Sequence, residues 1–300
     1  MEFWIWVTFA AAAFQTLRFT LQKVLRAGTL STFGATFARF AYSAPLIAVL
    51  LAAYLWSTAQ ALPPLGPAFW AYALTGGAAQ VLATACVVAL FGMRNFAVGI
   101  TFKKTEVVQT ALVGFVLLGE GVTPPALGAI ALGLVGVWLL GAAPGKALRG
   151  LARLTGRAPA LGLASGLLFA ISAVCYRGAS LEVASADPLL RAGVTLAAVT
   201  AAQMAGVALW LHLREPGEIG RVWAARRVAL WVGLASMGGS FCWFLAFTLE
   251  TAALVKAVGQ VELLMSLAVT VLIFREPVSR SELAGMALLA ASVVALVLVT

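Results

Sequence analysis

Four strongly polar side chains crowd the first half of a largely apolar stretch. They are Lys103, Lys104, Glu106 and Gln109 in TFKKTEVVQTALVGFVLLGE, residues 101–120. Mixed charges of this kind can bind a polar solute, pair with one another or exchange a proton. A second stretch, KAVGQVELLMSLAVTVLIFRE at 256–276, carries Lys256, Gln260 and Glu262. An offset of 156 residues lays one stretch on the other, with Glu106 on Glu262, Lys104 on Gln260 and Glu120 on Glu276. Charges at bilayer depth cost about 2.5–3.5 kcal/mol each on insertion scales, so they face a cavity or a partner. Glu106 stands about 21 Å before Glu120 at 1.5 Å per residue, near the middle of a bilayer. The repeat puts Glu262 at comparable depth, measured from the opposite side. A substrate or proton site between the two glutamates is the expectation.

A structural ion pair competes with it. Lys103 lies three residues before Glu106, on the same helical face. Glu262 differs, because Val258 and Gly259 occupy the positions four and three residues before it. Its partner must come from another helix, from water or from a proton, which suits a proton-coupling group. Glu262 therefore ranks above Glu106 for that role. Lys104 and Lys256 are the anion candidates, and Lys256 shares a helical face with Gln260. Gln15, Arg18 and Gln22 recur at three- and four-residue steps on the first apolar segment and extend the candidate lining. Gln80, Tyr176 and Trp243 are secondary lining positions. Arg39 and Arg191 lie near segment ends, where snorkelling or capping of carbonyls is the favoured reading. Aromatic residues near such ends more often anchor the interface than stack on a solute.

These residues need elements to carry them. The chain is 62% hydrophobic and 10% charged, against about 25% charged in a soluble domain, so lipid is the solvent for most of it. The formal charge of +9 is read as orienting loop charge and not as a nucleic-acid footprint. Cys86, Cys175 and Cys242 sit in apolar runs without CxxC spacing and read as small hydrophobes; neither they nor His212 make a metal site. The N-terminus reads as a retained first span and not as a removable signal peptide. Hydropathy predicts ten transmembrane helices, near 3–21, 36–56, 69–91, 98–118, 125–140, 160–175, 189–211, 229–249, 253–274 and 283–299.

The candidate linker at 142–159, with Pro144, Gly145 and four basic residues, divides the chain almost in half. The halves, 1–145 and 146–300, keep the same order of features. Arg39 and Arg191 open the second span of each, and Gly76-Gly77 answers Gly238-Gly239 in the third. Five spans per half is an odd number, so the second half enters the bilayer in the opposite sense. The predicted fold is all-α, two inverted five-helix repeats around a midplane site. Basic residues collect in the loops after odd-numbered spans, from Lys23 and Arg26 to Arg275 and Arg280. Both termini are therefore expected outside an inner membrane. Walker, GxSxG, HExxH and dinucleotide motifs are missing from the sequence, so neither an enzyme nor a cofactor is expected.

The chain resembles the drug/metabolite transporter superfamily, EamA type, over essentially its whole length. The marks are the ten spans in two halves, Arg39 and Arg191, and the hairpin between the fourth and fifth spans. That hairpin reads VLLGEGVTPPALGAIALGLVGVWLL in one half and IFREPVSRSELAGMALLAASVVALVL in the other, with Arg275 where a glycine is usual. The resemblance implies secondary transport of small metabolites, often export, through a cavity lined by spans 1, 3, 4, 6, 8 and 9. The expected function is a proton-coupled exporter of amino-acid-like compounds. Its partners would be a small-molecule substrate, the lipid bilayer and protons, and it would be a monomer or homodimer. An organic-anion or phosphate-ester exchanger using Lys103, Lys104 and Lys256 is the alternative. A lipid-handling or scaffold protein without solute flux is a further one.

Overall fold

The computed structural model describes residues 2–26, 30–91, 102–141, 156–265, 268 and 280–299. Among them the secondary structure is helical throughout, without strands. The helices are α1 (Phe3–Arg26), α2 (Thr32–Ser57), α3 (Pro67–Phe91), α4 (Glu106–Leu118), α5 (Pro124–Gly141), α6 (Arg157–Glu182), α7 (Pro188–Arg214), α8 (Glu218–Ala224), α9 (Arg226–Leu249), α10 (Ala252–Val258) and α11 (Arg280–Val299). Four stretches are long and apolar enough to cross a bilayer: Phe33–Ser57, Arg157–Glu182, Pro188–Arg214 and Ala229–Leu249. The chain is thus a helical membrane protein. Large apolar side chains stay on the outside, as lipid allows; Leu112, Phe115 and Val116 of α4 are all exposed. Most of the linker at 142–159, the residues Arg275 and Glu276, and the basic residues 94, 146, 149 and 153 lie outside the described residues.

Two compact units divide the chain, and each draws on both halves of the sequence. The first holds Met1–Ile5, Ala79–Val174 and Glu250–Thr300; the second holds Trp6–Ala78 and Cys175–Leu249.

In the first unit α5 packs along α11. Gly136 lies against Gly285 and Leu289, and Gly133 against Leu289 and Ser292. The Ser292 hydroxyl donates to the Ala129 carbonyl at 2.6 Å. Rising numbers on one helix meet falling numbers on the other, so the pair is antiparallel. Small residues are needed there: a Cβ on Gly136 would stand 2.8 Å from both the Gly285 carbonyl oxygen and the Leu289 nitrogen. Helix α4 packs on α10 in the same unit.

In the second unit α2 packs along α7, also antiparallel, and α9 packs on both. Polar contacts tie the two ends of the α2–α7 pair. Tyr54, near the end of α2, donates its hydroxyl to Asp187 at 2.6 Å. Asp187 also caps α7 by accepting from the Leu189 amide at 2.9 Å. At the other end Ser31 caps α2, accepting from the Gly34 amide at 3.0 Å. The Ser31 hydroxyl donates to Glu215 at 2.5 Å and its amide donates to Glu218 at 2.5 Å. Glu218 is fully buried and also meets the Arg221 guanidinium at 2.8 Å. Hydropathy did not foresee α8, whose seven residues serve to bring Glu218 under the start of α2. Replacing Glu218 by alanine leaves the Ser31 amide without its acceptor. A loss of roughly 1–3 kcal/mol is expected, read as a lower melting point, with Glu218→Gln falling between it and wild type.

Candidate functional site

The charged stretches meet in the first unit, where both predicted spans are interrupted. Residues 102–103 are helical, 104–105 form a turn, and α4 starts at Glu106. The Thr105 amide bonds back three residues to Phe102. In the other stretch α10 stops at Val258, residues 259–260 form a turn, and helix resumes at 261–265. There the amides of Gln260, Glu262 and Leu263 each bond back three residues, to Ala257, Gly259 and Gln260. Both stretches tighten from α to 3₁₀ geometry. Short 3₁₀ pieces inside longer helices often mark functional hinges. The 156-residue offset places the two turns on each other at Lys104 and Gln260. Continuous helices were predicted over 98–118 and 253–274. The interruptions correct both, and 98–101 and most of 266–274 lie outside the described residues.

Glu106 is buried, at 6% exposure. One carboxylate oxygen takes the Lys103 ammonium at 3.2 Å, the pair expected from their spacing. The other takes Lys256 of α10 at 2.6 Å. The carboxylate therefore ties α4 to α10 through two ion pairs. The Phe169 ring of α6 faces both cations, with Lys103 at 4.7 Å and Lys256 at 6.0 Å from its centroid. Aromatic faces attract cations through the ring quadrupole, more strongly where water is excluded. Gly166 lets this face come close: a Cβ there would stand 2.6 Å from the Gln109 side-chain oxygen and 3.0 Å from the Lys103 carbonyl.

Lys104 makes no ion pair or hydrogen bond among the described residues. Glu262, Glu106, Lys103 and Lys256 all lie within its electrostatic reach. Lys104, in the turn before α4, thus brings a cation near Glu262 that the helix face of Glu262 does not itself provide. Gln109 donates at 3.5 Å to the Leu163 carbonyl, while its own oxygen is buried and unbonded. Gln260 turns away from any shared ligand with Lys256. Its amide donates to the Lys256 carbonyl at 3.4 Å, and its side chain lines a small apolar cavity with Val107, Ile130, Ala257 and Leu289.

The remaining candidates lie elsewhere. Gln80 is half-buried on the first-unit part of α3. In the second unit Trp243 donates its indole N–H to Gln15 at 3.1 Å and stacks on Phe247. Tyr176 is 2% exposed, stacks on Phe244 and accepts from Gln203 at 3.2 Å. Tyr176 is thus an interior group, while Trp243 is half-buried. Arg18 is buried and does not snorkel. Gln22 belongs to α1, but its side chain lies outside the described residues. Arg191 donates to the Ser180 carbonyl at 2.8 Å, the capping role expected of it. Arg39 departs from that reading: it donates across to Ser240 of α9 at 3.0 Å and stands over Phe40. Phe169 was missed, although it follows Gly162 and Gly166 on one face of α6. The cysteines are free, and the described residues hold no cluster suited to a metal.

No family profile matches the chain, and no curated protein matches it. Solved structures do. One, titled only "Crystal structure of protein", is similar over 99% of this chain and 98% of its own, with a TM-score of 0.70 at 15% identity. At that identity the likeness concerns the fold alone.

Proposed function

We propose that this chain is a secondary active transporter of small, polar, carboxylate-bearing metabolites, of the drug/metabolite transporter kind, working by alternating access. One observation carries the reading. Two membrane stretches that match at a 156-residue offset are interrupted at overlapping positions, 104–105 and 259–260, and their charged side chains lie in or beside those interruptions. Interrupted helices at a repeat interface are where secondary transporters place substrate and coupling-ion sites. The antiparallel packing of α2 on α7 and α5 on α11 supports an inverted repeat of ten spans. Spans equated by an in-plane twofold axis must run in opposite senses.

In this mechanism Lys104 takes the substrate carboxylate, and Glu262 faces the substrate's donor group and exchanges a proton. Glu106, held by Lys103 and Lys256, keeps the two interrupted helices together and is a positioning residue. Hydroxy acids and amino acids both offer these two groups. The protein would lie in the inner membrane with both termini outside, exporting its solute as a monomer or homodimer. No cofactor is required.

The test is the melting point of the purified full chain against amino acids, hydroxy acids, phosphate esters and amines. A ligand that binds the native state raises it. Wild type should be stabilised by a carboxylate-bearing compound to an extent that changes with pH. Glu262→Gln should lose the pH dependence. Stabilisation by none of the panel would sink the proposal, and unchanged pH dependence in the variant would remove Glu262 from the coupling role.

A further inference from the structure

We infer that the preferred solute carries a net negative charge, as a small organic carboxylate anion with Lys104 as its anchor. This rests on the charged cluster being the substrate site, and it narrows the substrate class.

Three lysines, Lys103, Lys104 and Lys256, face two glutamates, Glu106 and Glu262. Glu106 is fully engaged, with one oxygen on Lys103 and the other on Lys256. Glu262 lies within electrostatic reach of Lys104 but beyond ion-pair distance. Among the described residues the cluster thus sets three cations against two carboxylates, and Lys104 is a cation whose donors are unengaged there. An uncompensated charge in a low-dielectric interior is costly, and a bound counter-charge offsets that cost.

The second unit repeats the imbalance independently. Arg39 sits within α2, where its guanidinium donates once to Ser240 and stands 5.2 Å from the Phe40 ring centroid. Among the described residues no carboxylate is within ion-pair distance of it. The acidic groups of that unit sit at helix ends, where Asp187 accepts from Tyr54 and Glu218 from Ser31. A monoanion would balance the first-unit cluster. A zwitterion would leave its excess in place, and an organic cation would add to it.

The experiment uses two matched series on the full-length protein: lactate, alanine and isopropylamine, then phenyllactate, phenylalanine and phenethylamine. Each series runs from anion through zwitterion to cation, the hydroxy acid and amino acid being nearly equal in size and the amine smaller. The hydroxy acid of at least one series should raise the melting point most and the amine least. Lys104→Gln should weaken binding of that anion about tenfold or more, the range for losing a hydrogen bond to a charged group. Lys104→Arg should retain most of the affinity. Without ligand, Lys104→Gln should melt no lower than wild type, because it removes an uncompensated charge; a purely structural lysine would give a lower melting point. Equal or stronger stabilisation by alanine or phenylalanine overturns the charge preference and leaves the transporter reading standing. Unchanged anion affinity in Lys104→Gln overturns the anchor. A flat response to all six compounds overturns the inference, and it reaches the transporter reading only if the wider panel is flat too.

Discussion

Replacing Glu106 by glutamine should destabilise the protein by about 3–5 kcal/mol, the range for breaking a buried pair by removing one partner. The carboxylate serves two ammonium groups at once, Lys103 at 3.2 Å and Lys256 at 2.6 Å. Both lysines are about four-fifths buried and share the Phe169 ring. Glutamine would leave two cations facing one neutral amide. The expected result is a large fall in melting point, or loss of the folded protein from detergent extracts. Because the cost comes from the orphaned charges, Glu106→Gln combined with Lys256→Met should recover part of it. Recovery separates a positioning carboxylate from a substrate ligand, since a ligand's loss would reduce binding and leave stability nearly intact. A Glu106→Gln protein that melts with wild type would remove the tether from the mechanism.

The second large effect lies where α5 meets α11. A methyl group on Gly136 would stand 2.8 Å from two backbone atoms, the Gly285 oxygen and the Leu289 nitrogen. Backbone cannot swing aside as a side chain can, so the helices must separate. Gly136→Ala should cost about 1–3 kcal/mol and Gly136→Leu more. Gly128, in the same helix, has open space where its Cβ would be. Gly128→Ala should therefore be neutral or stabilising by up to about 1 kcal/mol, because alanine loses less backbone freedom in a helix. Opposite signs for the same substitution within one helix would establish the close α5–α11 contact. Equal effects at both positions would contradict it.

Much of this arrangement was legible in the sequence, for identifiable reasons. Helix positions followed from hydropathy, because a bilayer demands long apolar segments. The cost of charge at depth singled out 103–109 and 256–262, which an ion pair between Lys256 and Glu106 brings together. The Lys103–Glu106 pair followed from three-residue spacing alone. What spacing could not supply was contact between distant segments. Lys256 was assigned with Gln260 because they are four residues apart, yet it reaches Glu106 on another helix. Glu262 was judged by its own helix face, which cannot show that Lys104 stands nearby. The interruptions at 104–105 and 259–260 left little signal, since only Gly259 hints at one and the paired lysines are good helix formers. Arg39 was read as capping or snorkelling near a span end, yet it donates to Ser240 on another helix, a partner that spacing cannot show.

The central claim is that a solute crosses the membrane by binding at the Lys104 cluster. Counterflow in proteoliposomes tests it most directly. Vesicles containing the full-length protein would be loaded with the carboxylate that most raises its melting point, then diluted into a trace of the same compound in labelled form. The account predicts transient accumulation of label above equilibrium with wild type, and a marked loss of it with Lys104→Gln at the same concentration although that variant remains folded. Label that only equilibrates with wild type, or accumulates equally with Lys104→Gln, would contradict it.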